Sequence, residues 1–192
     1  MTKKPSREPA YFQQLYTANP DPWNFTNSPY EHEKYAATIA MLNGRHFARA
    51  LEIGCSIGVL TELLAKCCNE LLAVDIVEQA LAQARTRCAS HAHVTFAQMQ
   101  VPKTWPAGSF DLIVFSEVLY FLAPPDIARI AALANASLMP GGMLLLVNYT
   151  GEIDEPCSGD AAAEAFMRNV PASRITQSRA SSFRIDLLAK RG

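Results

Sequence analysis

The first residues with the potential for chemistry are two glycines that follow an apolar run. Residues 51–58 read LEIGCSIG, a pattern typical of a β-strand that turns tightly into an α-helix. Gly54 lets the backbone approach a ligand closely or adopt a positive φ, and Gly58 lets the helix pack near the strand. The N–H groups at the start of that helix can hold a polar ligand. The pattern predicts a turn that cradles a nucleotide.

An acidic residue stands where such a site needs one. Asp75 ends the next apolar run, about 20 positions after the turn, and its carboxylate can accept hydrogen bonds from both ribose hydroxyls. Ser56 occupies the position at which a dinucleotide site needs a second glycine to admit a pyrophosphate. Ser56 therefore favours a ligand without pyrophosphate, such as S-adenosylmethionine. Glu52 either orients the turn or reaches the ammonium group of the methionine tail through water; the alternative is an incidental charge at a strand end.

The composition narrows the class of protein. The 192 residues carry 17 Lys and Arg against 18 Asp and Glu, a net charge of -1 that argues against a nucleic-acid partner. The 49% hydrophobic content predicts one globular domain. The chain has no apolar run of about 18 residues and no secretion signal at its N-terminus, so we expect a cytosolic protein without a membrane partner. Five cysteines without a CxxC pair predict neither disulfides nor a metal site.

Alternating strands and helices must position these residues. From residue 48 onward, short apolar runs alternate with amphipathic segments, which is typical of βα units on a parallel sheet. The predicted strands cover residues 48–53, 70–75, 93–97, 110–116 and 142–148, with two late strands near 174–177 and 182–189. The predicted helices cover residues 59–68 and 77–89, a short segment near Val118, and residues 125–138 and 161–169.

A helical cap is predicted ahead of this core. We expect residues 1–9 to fray and a helix over 11–18, which the prolines that follow bring to an end. Ser28 as N-cap and Glu31 three residues later form a capping box, which opens a helix that runs to about Leu42.

The segment 11–35 is rich in aromatic side chains. It holds seven of the seventeen aromatic residues, namely Tyr11, Phe12, Tyr16, Trp23, Phe25, Tyr30 and Tyr35. Such rings cover sugar C–H surfaces and attract a sulfonium, so the segment is interpreted as a lid over the cofactor. The alternative is that about half of the rings only seal the helices onto the sheet. Lys34, one turn after Tyr30, either pairs with the cofactor carboxylate or lies in solvent.

The order of the motifs resembles the class I S-adenosylmethionine-dependent methyltransferases over residues 48–150. The resemblance rests on LEIGCSIG, AVD at 73–75, FDLIV at 110–114 and LMPGGMLLLV at 138–147. More narrowly, DPWNF at 21–25, SPYE at 28–31 and SEVLYFL at 116–122 resemble the NodS group. This implies a Rossmann-like three-layer α/β sandwich, with a mostly parallel seven-stranded sheet and a late antiparallel strand. Its single domain would divide into a cap (1–45), a cofactor-binding core (46–150) and the last part of the sheet (151–192).

The NodS resemblance also implies an activity. That group methylates the free amine of the non-reducing-end glucosamine of a chitooligosaccharide, with S-adenosylhomocysteine as the second product. Glu117 and Tyr120, after the fourth strand, would meet the acceptor, and Glu117 would hold a sugar hydroxyl or accept the amine proton. The alternative for Glu117 is a charge in the first turn of a helix. The cofactor contacts expected are Trp23, Tyr30, Lys34, Glu52, Gly54, Cys55, Ser56, Gly58, Asp75, Ile76, Gln98, Met99 and Ser116.

One position departs from the methyltransferase pattern. Class I enzymes commonly place an acid after the third strand to meet the adenine amino group, but here the residues are Gln98, Met99 and Gln100. A glutamine oxygen or the backbone at Met99 would replace it; alternatively, Met99 packs against the core.

Several alternatives for the function stay open. They are a small-molecule N- or O-methyltransferase with another acceptor, a nicotinamide-dependent oxidoreductase, and a cofactor sensor without catalysis. We expect a monomer or weak dimer, with an open acceptor groove beside the acids of the loop 151–161.

Overall fold

Seven strands form one sheet in the computed structural model, which describes residues 4–190. The strands are β1 (Phe47–Ile53), β2 (Cys68–Asp75), β3 (Val94–Gln98), β4 (Phe110–Ser116), β5 (Leu138–Tyr149), β6 (Ala172–Arg179) and β7 (Phe183–Lys190). The α-helices are α1 (Pro9–Ala18), α2 (Pro29–Met41), α3 (Val59–Leu64), α4 (Glu78–Arg87), α5 (Pro124–Ser137) and α6 (Gly159–Asn169). Two short 3₁₀ helices cover Ala65–Cys67 and Leu119–Phe121.

The strand order places the ends of five parallel strands along one edge of the sheet. The order is β3-β2-β1-β4-β5-β7-β6, and β7 pairs antiparallel with both of its neighbours. Strands β2 and β3 lie on one side of β1, whereas β4 and β5 lie on the other, so the strand order reverses between β1 and β4. A crevice forms at such a point, at the carboxyl ends of the strands. The sheet expected from the sequence, mostly parallel with one antiparallel strand, is confirmed.

Helices cover both faces of the sheet. In β4 the burial is nearly continuous, because its alternate side chains pack on opposite layers. Ile113 and Phe115 belong to the cluster that includes α5 and α6, whereas Leu112 and Val114 belong to the cluster with α2 and α3. Within residues 4–190, no helix is long and apolar enough to cross a membrane.

The prediction that the N-terminal residues fray is wrong for residues 4–8, which we call the strap; residues 1–3 lie outside the described range. The backbone N–H of Arg7 donates to the carbonyl of Phe121 (2.9 Å), and its guanidinium pairs with Glu155 (2.6 Å). Lys4 pairs with Asp154, and Ser6 accepts from the N–H of Ala123 (2.8 Å). These partners stand more than 100 positions away, so local composition carries no sign of them.

Two predicted boundaries are also wrong. An α-helix was expected over residues 59–68, but α3 ends at Leu64. Cys68 is already the first residue of β2, where it pairs with Phe47 of β1. The helix expected to end at residue 138 stops at Ser137, because Leu138 pairs with Phe110 and β5 begins there rather than at residue 142. In both cases the pairing with a neighbouring strand overrides the local pattern.

Candidate active site

A cavity of about 350 Å³ opens at the carboxyl ends of the parallel strands. Its floor includes Gly54 after β1, Asp75 at the end of β2 and Ser116 at the end of β4. Aromatic residues of α1 and of the loop before α2 form its roof, and the strap closes one side. The cavity therefore lies where the topology of the sheet predicts a ligand crevice.

The two glycines of the turn are needed for different reasons. Both have a φ of +82°, a conformation that L side chains rarely adopt. A Cβ on Gly54 would lie 2.9 Å from the carbonyl oxygen of Ser116, so Gly54 allows the loop after β4 to approach. A Cβ on Gly58 would lie 2.9 Å from Ala84, so Gly58 allows the turn to pack against α4.

Asp75 joins the turn to the end of β2. Its Oδ2 accepts from the N–H of Ser56 (2.8 Å), and its Oδ1 accepts from the N–H of Val77 (2.9 Å). Burial raises the pKa of Asp75, and these backbone donors partly offset that rise. A carboxylate oxygen has two lone pairs, so each oxygen of Asp75 can accept one further hydrogen bond from a ligand hydroxyl.

The aromatic segment covers the turn. Tyr16 and Ser56 share a hydrogen bond between their hydroxyls, which fixes α1 above the turn. The side chain of Gln79 on α4 donates to the carbonyl of Tyr16 (3.0 Å). Trp23 packs edge-on against Tyr16 with 5.8 Å between ring centroids, and it is 38% exposed. The segment therefore rests on the turn at one end and faces solvent at the other.

The other end of the cavity is built around Glu117. Its φ of +57° is rare for a residue with a side chain, and its N–H donates to the carbonyl of Val147 (3.0 Å). Glu117 Oε2 accepts from the N–H of Tyr149 (2.9 Å), and Oε1 lies 2.7 Å from Lys34 Nζ. Burial, together with the charge and hydrogen bonding of Glu117, raises the pKa of Tyr120, which keeps its phenol neutral. The structure therefore brings Glu117 and Tyr120 together.

Lys34 is the centre of a buried group of charges. It is 1% exposed, and its Nζ lies 2.9 Å from Glu31 Oε2 as well as 2.7 Å from Glu117. Burial lowers the pKa of Lys34, but the charges of Glu117 and Glu31 outweigh it and raise the pKa above its ordinary value. The alternative of a solvated lysine is wrong. Lys34 was expected to pair with the cofactor carboxylate, but its ammonium already faces the carboxylates of Glu31 and Glu117.

Glu31 was expected to cap its helix, and only half of that capping box forms. The Ser28 side chain accepts from the N–H of Glu31 (3.4 Å), as expected. The N–H of Ser28, however, donates to the carbonyl of Asn24 (3.0 Å), while the carboxylate of Glu31 faces Lys34. Glu31 is 6% exposed and lines the cavity.

Most of the residues expected at the site line this cavity. They are Trp23, Tyr30, Lys34, Gly54, Ser56, Asp75, Ile76, Met99, Ser116, Glu117 and Tyr120. Glu52 and Cys55 border a separate space of about 20 Å³ behind the turn, and Gly58 packs on α4. The side chain of Gln98 is exposed and donates to the carbonyl of Ile76 (3.0 Å), which places it away from the expected adenine contact.

Three of the four acids expected beside the acceptor are engaged in ion pairs, whereas Glu152 is exposed. Asp154 and Glu155 hold the strap, and Asp160 pairs with Arg179 (2.5 Å) and Arg184 (3.0 Å). The expectation that these acids are free for an acceptor is therefore wrong for Asp154, Glu155 and Asp160. Glu155, expected beside the acceptor, does line the cavity, whereas sequence reasoning missed other lining residues, among them Arg7, Glu8 and Tyr149, for which the sequence carries no local signal.

Comparisons with known proteins decide the family. A family model described as Nodulation protein S (NodS) matches residues 12–170. The chain belongs to the NodS family. Nodulation protein S of Bradyrhizobium diazoefficiens is 34% identical over 148 residues, which cover 75% of this chain and 70% of the relative. The Rhizobium tropici protein is 37% identical over 129 residues, which cover 65% of this chain and 53% of the relative.

Solved structures give the same fold. N-methyltransferase NodS from Bradyrhizobium japonicum WM9, in complex with S-adenosyl-L-homocysteine, has a TM-score of 0.84 at 22% identity, over 97% of this chain and 100% of that one. A putative methyltransferase from Pseudomonas syringae has a TM-score of 0.75 at 34% identity, over 84% of this chain and 99% of that one. The expected methyltransferase fold, the NodS resemblance and the methyltransferase class are confirmed. The nicotinamide-dependent alternative is set aside.

Proposed function

We propose that this NodS-family chain transfers the methyl group of S-adenosylmethionine to the free amine of an amino sugar, the non-reducing-end glucosamine of a chitooligosaccharide. The observation that carries the proposal is the length of the cavity, which runs from Asp75 at β2, past the turn after β1, to Glu117 and Tyr149 at β4 and β5. The similar NodS protein of Bradyrhizobium japonicum is an N-methyltransferase, which supports an amine acceptor.

The residues at the β2 end fit the cofactor. Asp75 keeps lone pairs for two ribose hydroxyls, and Met99, whose N–H donates to the carbonyl of Asp75 (2.9 Å), lies where the adenine would rest. Gly54 lines the cavity beside the turn, where the methionine tail would lie. The cofactor supplies a methyl group on a sulfonium, a good leaving group that needs no metal and no covalent enzyme intermediate.

The chain's own residues align the acceptor and exclude water. Tyr16 holds α1 over the turn, and Tyr30 is fixed by a hydrogen bond from its hydroxyl to the carbonyl of Ser182 (3.0 Å). Both rings line the cavity and shield it from solvent. Alignment and desolvation of this kind account for a large part of the rate of bimolecular transfers.

Methyl transfer from labelled S-adenosylmethionine tests the proposal. The acceptors are chitooligosaccharides that are identical except that one set carries a free terminal amine and the other is fully N-acetylated. We expect transfer to the free amine only, because the lone pair of an amide nitrogen is delocalised and does not attack. Equal turnover of the two sets would point to a hydroxyl acceptor and contradict N-methylation.

A second candidate is O-methylation of a small phenol. A ubiquinone biosynthesis O-methyltransferase from Methylococcus capsulatus is 29% identical over 127 residues. Apolar side chains of the cavity, among them Phe12, Phe121 and Val118, would suit such an acceptor. A catechol in the acceptor panel separates the two candidates, since a phenol acceptor would be methylated faster than any amino sugar.

Other expectations stay predictions that follow from the sequence. They are the cytosolic location, the absence of nucleic-acid and membrane partners, the monomeric or weakly dimeric state, and the division into cap, core and final strands.

A further inference from the structure

Three buried charges in the cavity wall form one unit, which we call the charge cluster: Glu31, Lys34 and Glu117. Lys34 Nζ lies within 3.0 Å of a carboxylate oxygen on each side, so two negative charges share one positive charge. The cluster therefore carries a net charge of about -1 in a wall shielded from water. The cavity's other cations, Arg7 and Lys103, each pair with a carboxylate, Glu155 and Glu8 respectively.

The cluster lies at the end of the cavity opposite to Asp75. Along the sheet edge, Asp75 belongs to β2, the glycine turn to β1, Glu117 to β4 and Tyr149 to β5. An adenosine at Asp75 with its methionine tail beside Gly54 occupies the β2 and β1 positions. The β4 and β5 positions, where the cluster lies, are left for the acceptor.

The cluster is held in place by contacts within the chain. Glu117 Oε2 accepts from the N–H of Tyr149 (2.9 Å), and Glu31 Oε1 accepts from Lys34 Nζ (3.0 Å). Lys34 and Glu31 lie one turn apart on α2, so their pairing is set by the helix. Charges fixed in this way act on a reacting group without the reorganisation that water would require.

Methyl transfer to an amine moves a positive charge toward this cluster. The nitrogen lone pair forms the new N–C bond, and the electron pair of the broken C–S bond goes to sulfur, which becomes a neutral thioether. The nitrogen becomes an ammonium and later gives a proton to water. A hydroxyl acceptor instead loses its proton during transfer and ends as a neutral ether, so it leaves no positive charge for the cluster to stabilise.

We propose that the net negative charge of the cluster stabilises the positive charge developing on the acceptor nitrogen and so selects an amine over a hydroxyl. Glu31 acts through Lys34 as a positioning residue: without its carboxylate, Lys34 would neutralise Glu117 and the net charge would be zero. This inference rests on the proposed function, because it requires an amine acceptor.

Two variants separate the net charge of the cluster from the number of side-chain contacts within it. Glu31→Gln keeps the shape of the side chain and brings the net charge to zero, and we expect kcat for the amine acceptor to fall ~10- to 100-fold. Glu31→Gln combined with Lys34→Met restores one negative charge, and we expect kcat to recover at least about tenfold over the single variant. A structural role predicts the opposite order, since the double variant loses more contacts. Glu33→Gln, exposed on the same helix, is the matched control and should leave kcat unchanged.

The measurements separate the possible failures. A double variant with kcat at or below that of Glu31→Gln overturns the inference, and so does a Glu31→Gln effect confined to S-adenosylhomocysteine affinity, which would assign the cluster to the cofactor. If Glu31→Gln does not fold, Glu117→Gln with and without Lys34→Met gives the same comparison. A wild-type protein that methylates no amine overturns the proposed function and this inference together, whereas amine methylation without charge-dependent recovery overturns this inference alone.

Discussion

Asp75 Oδ2 lies 2.8 Å from the backbone nitrogen of Ser56 and accepts its hydrogen bond. Ser56 has a φ of +50°, so the carboxylate stabilises a turn conformation that a serine seldom adopts. The same carboxylate offers its remaining lone pairs to the cavity. Asp75 therefore shapes the turn and also presents hydrogen-bond acceptors to the cavity, so we expect substitutions at Asp75 to have two separable effects.

The Asp75→Ala variant removes both functions. We expect the dissociation constant of S-adenosylhomocysteine to rise ~10- to 100-fold, because hydrogen bonds to a charged group contribute about 1.5–3 kcal/mol. The free energy of unfolding should fall by about 1–3 kcal/mol, because the N–H groups of Ser56 and Val77 lose their acceptor. Calorimetry and urea denaturation measure the two effects.

Asp75→Asn is the matched control. Its amide oxygen still accepts from one backbone N–H, so it should lose less stability than Asp75→Ala and still bind the cofactor weakly. Wild-type affinity in a folded Asp75→Ala variant would remove Asp75 from the cofactor site.

The second prediction isolates the close approach of the turn to α4. Gly58 and Gly44 both have positive φ, but a Cβ on Gly58 would lie 2.9 Å from Ala84, whereas Gly44 has no heavy atom within 4 Å of that position. Gly44→Ala should cost about 1–2 kcal/mol of stability from backbone strain alone. Gly58→Ala should cost about 1–3 kcal/mol more, because α4 must move. Equal losses in urea denaturation would show that packing against α4 is unimportant.

The third prediction concerns Glu52, which is fully buried under the turn. Burial raises its pKa from 4.5 to about 7, and the hydrogen bond from Thr61 only partly opposes that rise. The folded chain therefore holds the Glu52 proton more tightly than the unfolded chain, so stability falls as the pH rises from about 4.5 to about 7. Above this window the loss is about 3 kcal/mol.

Glu52→Gln tests this dependence, because the amide has no proton to lose and its oxygen can still accept from Thr61. The variant should gain stability relative to wild type at about pH 8 and show little gain at about pH 4.5. Glu152→Gln, at an exposed position, is the control and should follow the wild-type curve. A constant difference between wild type and Glu52→Gln across this range would contradict the raised pKa.

The fourth prediction concerns the aromatic lid, residues 11–35. Its loop between α1 and α2 contains Pro20 and Pro22, which have no N–H to donate, and Trp23 in the same loop is partly exposed. We expect amides of this segment to exchange hydrogen more slowly when S-adenosylhomocysteine is bound, because a ligand under the rings favours the closed state. Equal exchange with and without the ligand, measured by mass spectrometry, would identify a fixed cap.

The features that the sequence predicted well depend on local pattern. The strand, turn and helix around Gly54, and the position of Asp75 at the next strand end, follow from hydrophobic period and residue spacing, which each segment carries in itself. The parallel core follows from the alternation of such segments. For the same reason, the family resemblance was visible in the residues alone.

The partners of the charged residues were decided only by the tertiary structure. Glu31 stands three residues after Ser28, which fits a capping box in sequence, yet its carboxylate faces Lys34. The loop after β4 places Glu117 on the other side of the same ammonium. Arg7 and Glu155 are separated by 148 positions and meet only because the strap crosses the loop after β5. A charged side chain has the same local pattern whether it is solvated or buried. The loops that converge at the strand ends determine which charges lose their water, and therefore which of them must pair.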